Sequence, residues 1–278
     1  DTDTDTGKIE PAEPLRVTAI TTGKVHTCAL LPDQSVRCWG SNTSGQLDVP
    51  AGSYLQIEAG LYHTCGLTTD GVIQCWGWSG ATGVTPPTGS FTEVAGAYTH
   101  SVAIGPDGAM VWGEEDGILL TSQEPDDSDL VDLSCGLQHC AVLDSAGRSE
   151  SWGGPYYVQD DLEGFFFSDI DAGYYHSCGI TDATGLHCWG LDTSGQITPP
   201  KGQNYTAISC GGAHCCALDI HGHTSCWGAD NAGQSTPPET DFVAISAGDS
   251  HTCGQTDEGL LECWGNDAQG QCSVPASE

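Results

Sequence analysis

The sequence has few basic residues and no long apolar run, and both shortages exclude classes of partner. Only 6 Lys and Arg stand against 38 Asp and Glu in 278 residues, a formal net charge of −32. Duplex DNA and anionic membranes bind proteins through positive footprints, so we expect no nucleic-acid partner. No apolar stretch reaches the roughly 18 residues of a membrane span, so we also expect no membrane insertion. Such an acidic surface mainly favours solubility.

The sequence also has no segment of the signal-peptide type, yet it contains 15 cysteines. Regularly spaced cysteines in this number are typical of an oxidising compartment. We therefore predict a mature product from which a targeting segment has been removed. Its expected location is extracellular, periplasmic or at the cell surface. Residues 1–14, rich in Asp and Thr, are predicted to be a disordered acidic tail that could carry a lipid or surface tether.

A repeated histidine divides the rest of the chain into seven units. It recurs every 37–39 residues, in most units as Gly-x-x-His, and a Trp-Gly pair follows it each time. Each unit contains short strand-like runs bounded by Gly, Pro, Asn and Asp, and no segment has a sustained helical period. Repeats of 20–50 residues are typical of solenoids and propellers. The sequence therefore predicts an all-β fold, one seven-bladed β-propeller over residues 15–278 with one repeat per blade.

The repeat also has a specific resemblance. Residues 59–77 read Ala-Gly-x-x-His-Thr-Cys-Gly-Leu-x-x-Asp-Gly-x-x-x-Cys-Trp-Gly, and the first repeat ends Gly45-Gln46-x-x-Val49-Pro50. This pattern resembles the repeat of the regulator of chromosome condensation family. It covers all seven units, although several, including the third and fourth, lack the Gly-Gln ending. The resemblance implies the propeller fold and, through secreted seven-bladed relatives, a protein-binding or inhibitory role. The nucleotide-exchange role of nuclear members conflicts with the acidic charge and the cysteines.

The cysteines follow two spacings that predict disulfides. Pairs ten residues apart flank a turn, so they should face each other across a hairpin at disulfide distance: Cys28/Cys38, Cys65/Cys75, Cys178/Cys188, Cys216/Cys226 and Cys253/Cys263. In the third and fourth repeats both members are lost together, leaving Val102/Val111 and Ala141/Ser151. Two closer pairs, Cys135/Cys140 and Cys210/Cys215, bracket the histidine loop and are predicted to be local disulfides. A metal site would need four converging ligands, whereas each pair belongs to a different blade.

Cys272 is left without a partner by these spacings. An odd cysteine in a secreted chain suggests a free thiol or an intermolecular bond. A buried, inert thiol is the alternative interpretation. The sequence leaves these readings open.

No catalytic motif stands apart from the repeat. Gly-x-Ser-x-Gly, His-Glu-x-x-His and P-loop patterns do not occur. A histidine that recurs seven times is expected to be structural, satisfying backbone groups between blades. The N-terminal Asp-x-Asp-x-Asp run lacks the Gly and Glu of a calcium loop. We therefore expect a protein that is not an enzyme and that has no cofactor and no metal.

Aromatic residues at positions that vary between repeats are the candidates for partner binding, because Tyr and Trp are favoured interface anchors. They precede the repeat histidine, follow Trp-Gly, or lie in the divergent fourth repeat: Tyr62, Tyr98, Tyr174, Tyr175, Trp78, Tyr156, Tyr157, Phe165 and Phe166. Alternatively, they fill gaps between blades. The favoured hypothesis is a module that recognises a protein or glycan through one propeller face. The alternative is a self-associating subunit of an extracellular filament or surface layer, favoured by the acidic tail and Cys272.

Overall fold

The computed structural model describes residues 13–78, 85–97, 100–106, 108–113, 129–153, 162, 164–181, 185–202 and 204–277, and these contain only β-strands as regular elements. Each repeat forms three strands. The first strands are Ala19–Thr22 (β1), Tyr54–Ala59 (β4), Glu93–Gly96 (β7), Leu130–Cys135 (β10), Phe167–Ala172 (β13), Tyr205–Cys210 (β16) and Ala244–Ala247 (β19). The second strands are His26–Leu30 (β2), His63–Thr68 (β5), His100–Gly105 (β8), His139–Asp144 (β11), His176–Thr181 (β14), His214–Asp219 (β17) and His251–Gln255 (β20). The third strands are Val36–Gly40 (β3), Ile73–Gly77 (β6), Gly108–Gly113 (β9), Ser149–Gly153 (β12), Leu186–Gly190 (β15), Thr224–Gly228 (β18) and Leu261–Gly265 (β21).

The strands form seven separate antiparallel sheets of three, one for each repeat. The first strand of each sheet packs against the first strands of the two neighbouring sheets, and β19 packs against β1. The predicted all-β, seven-bladed propeller is therefore confirmed. Glu13 and Pro14, which the sequence assigns to the tail, contact the chain's other end: Pro14 bridges Ala276, and Ser277 N–H donates to Glu13 O. No helix in the described part is long and apolar enough to cross a bilayer.

The apolar core lies between adjacent blades. One cluster joins Cys28 and Leu30 of the first blade to Tyr54, Ile57 and Trp76 of the second. The middle strand of each blade is almost wholly buried because both of its faces meet a neighbouring blade. This explains why the middle strands are nearly continuous runs of small and apolar residues, with no alternation of apolar and polar positions.

The repeated Trp and the Gly-Gln ending form one link between blades. Trp76 Nε1 donates to Gln46 O of the preceding blade at 3.0 Å, and Trp227 Nε1 donates to Gln196 O at 2.8 Å. The glycine after each Trp has φ between +97° and +124°, a region that strongly favours glycine. At Gly190 a Cβ would also lie 2.6 Å from Tyr175 O. The Trp-Gly pair is thus a structural feature of every blade.

The repeated histidine forms a second link that runs around the ring. Each Nε2 lies near a side chain at one position of the next middle strand, and the last blade bonds back to the first: His26–Thr64, His63–Ser101 and His139–Ser177 at 2.8 Å, His214–Thr252 at 2.9 Å and His251–Thr27 at 3.0 Å. His100 and His176 meet Cys140 and Cys215 in place of a hydroxyl, at 3.7 and 3.0 Å. The sequence predicts backbone partners for the histidine, whereas its Nε2 meets a side chain of the next blade. Burial lowers the pKa of these histidines to about 3 or 4, as at His26 and His63, so they are neutral.

Seven disulfides are closed in the structure, and they join the fourteen cysteines in the predicted pairs. The ten-residue pairs are direct cross-strand partners between a middle and an outer strand, as Cys28 and Cys38 are. Val102 and Val111 face each other in the same register in the third blade. Cys272 is the one free cysteine among the described residues, and it is half-buried.

Candidate binding face and channel

The loops between first and second strands lie on one face of the propeller, which we call the loop face. Backbone bonds connect these loops from blade to blade: Lys24 N–H donates to Leu61 O at 3.2 Å, and Leu137 N–H donates to Tyr174 O at 3.0 Å. Tyr174 N–H in turn donates to Gly211 O at 3.3 Å. Residues at equivalent repeat positions therefore share one height around the axis. The opposite face carries the turns between second and third strands, and we call it the turn face.

The loop face holds four of the candidate aromatic residues: Tyr62, Trp78, Tyr174 and Tyr175. All four are half-buried. Trp78 lies beside Tyr62, because its N–H donates to Tyr62 O at 2.8 Å. The Lys24 ammonium lies 5.2 Å from the centre of the Tyr62 ring, a cation–π contact. Tyr98, Tyr156 and Tyr157 lie outside the described residues.

Phe165 and Phe166 lie on the turn face, where they immediately precede β13. Phe166 packs against the second-to-third-strand turn of the fourth blade, and Phe167 N–H donates to Gly147 O in that turn at 2.7 Å. The Phe165 ring stacks on His187 with 4.1 Å between centroids. Phe165 is 37% exposed and Phe166 47%. The structure therefore does not bring these two residues together with the tyrosines of the loop face.

A channel of about 270 Å³ runs through the centre of the ring and is lined by the first strands. Its wall carries carboxylic acids from neighbouring blades that sequence reasoning missed: Glu58, Glu93, Asp132 and Asp171. Asp169, on the same strand as Asp171, interacts electrostatically with Asp132 and Asp171. These five acids occupy two equivalent positions of the first strand, so an alignment of the first strands alone would have found them. Tyr174 and Leu61 line the same channel at the loop face.

These carboxylic acids have a structural task. Asp171 Oδ2 accepts a hydrogen bond from Cys210 N at 2.7 Å, and Asp169 Oδ2 accepts one from Ile208 N at 3.1 Å. Elsewhere a hydroxyl does the same, as when Ala59 N–H donates to Thr21 Oγ1 at 2.9 Å. These side chains accept hydrogen bonds from the N–H groups at the inner edge of the next blade. Those N–H groups have no partner within their own sheet, because the first strand is an edge strand.

Burial and mutual repulsion keep several of these acids protonated near neutral pH. Burial, with Asp171 and Glu93 nearby, raises the pKa of Glu58 to about 8. Burial and Asp132 raise the pKa of Glu93 to about 8, and burial with Asp132 and Asp171 does the same for Asp169. The pKa of Asp171 rises only to about 6, because burial is offset by hydrogen bonds from Ser134 and Cys210. The clustered carboxylic acids therefore carry few negative charges near neutral pH.

Two groups of residues have metal-ligand chemistry: His100 with Cys135 and Cys140, and His176 with Cys210 and Cys215. In both groups the cysteines are joined in a disulfide. Thiolates are the metal-binding form of cysteine, so neither group offers a metal site in this state. The described geometry is that of a closed, disulfide-stapled propeller with an aromatic loop face.

Comparison with known proteins finds a repeat-family match in part of this propeller. The profile of the "Regulator of chromosome condensation (RCC1) repeat" matches residues 17–46, 55–81, 167–196 and 242–271, which are four of the seven blades. The predicted resemblance to this repeat family is therefore confirmed for these four blades, which make up less than half of the chain. The human protein "RCC1 domain-containing protein 1" is 29% identical over 83 residues, a match that spans 24% of this chain and only 22% of the human protein.

Two solved structures show the same fold. The ectodomain of the receptor kinase ACR4 from Arabidopsis thaliana is 26% identical, with a TM-score of 0.77 over 96% of this chain and 100% of that one. Yeast RCC1 (Prp20), solved with Kap60 bound, is 16% identical, with a TM-score of 0.50 over 91% of this chain and 70% of that one. The fold is thus found both in a receptor-kinase ectodomain and in a protein solved in complex with Kap60.

Proposed function

We propose that this propeller is an extracellular protein-binding module whose partner docks on the loop face. The observation that carries the proposal is that Tyr62 and Trp78 of the second blade and Tyr174 and Tyr175 of the fifth blade all lie on this face. Other blades have smaller side chains at the same positions, such as Val25, Gly212, Ala213 and Ser41. Half-buried rings held by their own loops lose little side-chain entropy on binding, which suits them as anchors.

The location is supported by two independent features. Seven disulfides suit an oxidising compartment. The ACR4 chain, which this protein matches over its whole length, is an ectodomain. Protein binding is also seen in the yeast neighbour, which was solved with Kap60 bound. A net charge of −32 requires a partner that is neutral or basic where the two touch.

The test is affinity capture from the extracellular fraction of the source cells with matched variants. Trp78→Ser and Tyr175→Ala replace each aromatic residue by the residue of another blade. Each is expected to weaken capture by about thirtyfold, which corresponds to a hot-spot loss of about 2 kcal/mol. The control is Ile220→Ser on the turn face, where Ile220 is 59% exposed. If the control variant loses the partner and the loop-face variants keep it, the partner docks elsewhere.

Two further readouts separate the rival functions. Capture that survives protein digestion of the partner and is lost after deglycosylation would assign a glycan ligand. A filament or surface-layer subunit should self-associate in size-exclusion chromatography, and a reductant should reverse this if Cys272 forms the link. Burial, and Asp267 beside it, raise the pKa of Cys272 to about 12. Since the thiolate is the reactive form, that thiol is poorly suited to an intermolecular bond.

A further inference from the structure

The two short-spaced disulfides occupy the inter-blade histidine link. In five blades the side chain that meets the histidine is Thr or Ser, but in the fourth and sixth blades it is Cys140 or Cys215. Each of these is bonded to a cysteine at the end of the first strand, Cys135 or Cys210. The other blades have Thr22, or Ala or Gly, at that position. The disulfides therefore replace a hydroxyl that five other blades use to bond the histidine.

The two sulfurs of the sixth-blade pair have different surroundings. Cys210 lines the central channel, whereas Cys215 is completely buried with His176 Nε2 3.0 Å from its sulfur. A disulfide sulfur can only accept a hydrogen bond, so the contact requires the proton on Nε2. This N–H would stabilise negative charge on Cys215. A nucleophile entering from the channel thus meets Cys210, with Cys215 as the better leaving group.

A second disulfide lies within contact distance of that leaving group. Cys215 Sγ is 3.6 Å from Cys178 Sγ, which belongs to the ten-residue disulfide Cys178–Cys188 of the fifth blade. The fourth blade has the same histidine-linked pair but no such neighbour, because the third blade carries Val102 and Val111 there. The chain thus contains one sulfur relay and one matched pair that cannot relay.

We propose that the Cys210–Cys215 disulfide is a thiol-responsive site that transfers the fifth-blade staple to an inter-blade position. A small thiolate attacks Cys210 Sγ from the channel, forming a mixed disulfide and releasing the Cys215 thiolate. That thiolate attacks Cys178 Sγ, forming Cys178–Cys215 and releasing the Cys188 thiolate, which takes a proton from water. Two protein disulfides and one thiol become one protein disulfide, one mixed disulfide and one thiol, with no net oxidation.

The exchange has two consequences for the molecule. Cys178 lies on β14 and Cys215 on β17, so the new bond ties two blades together covalently. The released thiol, Cys188, lies half-buried on the outer strand β15, where a second molecule can reach it. Contact with a thiol would thus lock the ring between the fifth and sixth blades and expose one reactive cysteine.

The test is a brief thiol treatment of the native, oxidised chain, followed by alkylation and mass mapping. Three small monothiols are compared: cationic cysteamine, neutral 2-mercaptoethanol and anionic mercaptoethanesulfonate. We expect the adduct on Cys210, a Cys178–Cys215 cross-link, and alkylation of Cys188 about tenfold above Cys38, Cys75, Cys226 and Cys263, which hold the same position in other blades. Because the chain carries a net charge of −32, cysteamine should react about tenfold faster than the anionic thiol at low salt.

Two controls make the result decisive. Cys135–Cys140 in the same sample should yield an adduct on Cys135 and a free, alkylated Cys140, with no cross-link. The variant Cys178→Val/Cys188→Val, which copies the third blade, should leave Cys215 free to be alkylated.

Intact Cys178–Cys188 in molecules that carry the Cys210 adduct would overturn the proposal, and so would reaction of the ten-residue pairs first or equal rates for the three thiols. Circular dichroism after treatment must match that of the untreated chain, because loss of the native spectrum would assign the exchange to unfolding and reject the proposal.

Discussion

His251 Nε2 lies 3.0 Å from the hydroxyl of Thr27, so the last blade is bonded to the first by the link that joins interior blades. Thr27 Oγ1 also donates to Gln271 O at 2.8 Å. Thr252 has the same pair of partners within the ring, His214 Nε2 at 2.9 Å and Gln234 O at 3.1 Å. The closing link of the ring thus has an interior counterpart with the same chemistry.

The variants Thr27→Val and Thr252→Val should therefore destabilise the protein equally. Each leaves a buried histidine nitrogen without its partner, which lowers the free energy of unfolding by about 1–3 kcal/mol. The two carbonyls each keep the hydrogen bond that Trp39 or Trp264 Nε1 donates to them. Urea unfolding, followed by tryptophan fluorescence, measures both. If Thr252→Val destabilises and Thr27→Val does not, the closing link contributes nothing and the ring is held together elsewhere.

The ten-residue disulfides should act chiefly on the unfolded chain. Replacing Cys28 and Cys38 by Val copies the Val102/Val111 pair, which keeps the same register without a bond. We expect a loss of about 2–3 kcal/mol in unfolding free energy, since a ten-residue loop is no longer closed in the unfolded state. The single variant Cys28→Val should be worse, because it leaves a lone thiol. A double variant as stable as the parent would show that the staple is dispensable.

The sequence predicts the blades well because the histidine and the Trp-Gly pair recur in all seven repeats and the ten-residue cysteine pair in five. The Trp-Gly pair, the histidine and the paired cysteines each recur at a fixed position in a strand. Their period along the chain therefore gives the number of blades. The sequence could also place Tyr62 and Phe165 on opposite faces, since one follows a first strand and the other precedes one. Contacts between blades are harder to predict from the sequence. The 3.6 Å approach of Cys215 to Cys178 depends on how two sheets pack, and no pattern within one repeat contains it.

The two adjacent tyrosines of the fifth blade should behave differently on truncation. Tyr174 lines the channel and its hydroxyl is buried, whereas Tyr175 is not among the residues that line the channel. We expect Tyr174→Ala to lower the melting temperature clearly and Tyr175→Ala to change it little. Differential scanning calorimetry decides between them. If Tyr175→Ala lowers the melting temperature while the affinity for the partner is intact, this ring belongs to the core and is not part of the proposed binding surface.

The free energy of unfolding should pass through a maximum near pH 6.5, because two sets of buried groups make it change with pH in opposite directions. The ring histidines have folded pKa values of about 3 or 4 and an ordinary value of 6.5, for example His26 and His63. Below pH 6.5 the unfolded chain binds more protons at these positions, so the stability they contribute is lost as the pH falls toward 4. Glu58, Glu93 and Asp169 have folded pKa values of about 8, so the folded chain binds more protons between about pH 4.5 and 8.

The histidines outnumber these acids with raised pKa values, so the free energy of unfolding should rise from pH 4 to about 6.5. Above that pH the histidines are neutral in both states, and only the acids contribute. Their stabilisation is lost as the pH rises through 8, when three buried carboxylates must ionise close together. Urea titrations from pH 4 to 9 measure the profile. Glu58→Gln keeps an oxygen acceptor in the channel but cannot ionise, so it should flatten the decline between pH 6.5 and 8 and leave the acid limb unchanged. A parent profile that keeps rising above pH 7, or a variant with an unaltered decline, would contradict this assignment.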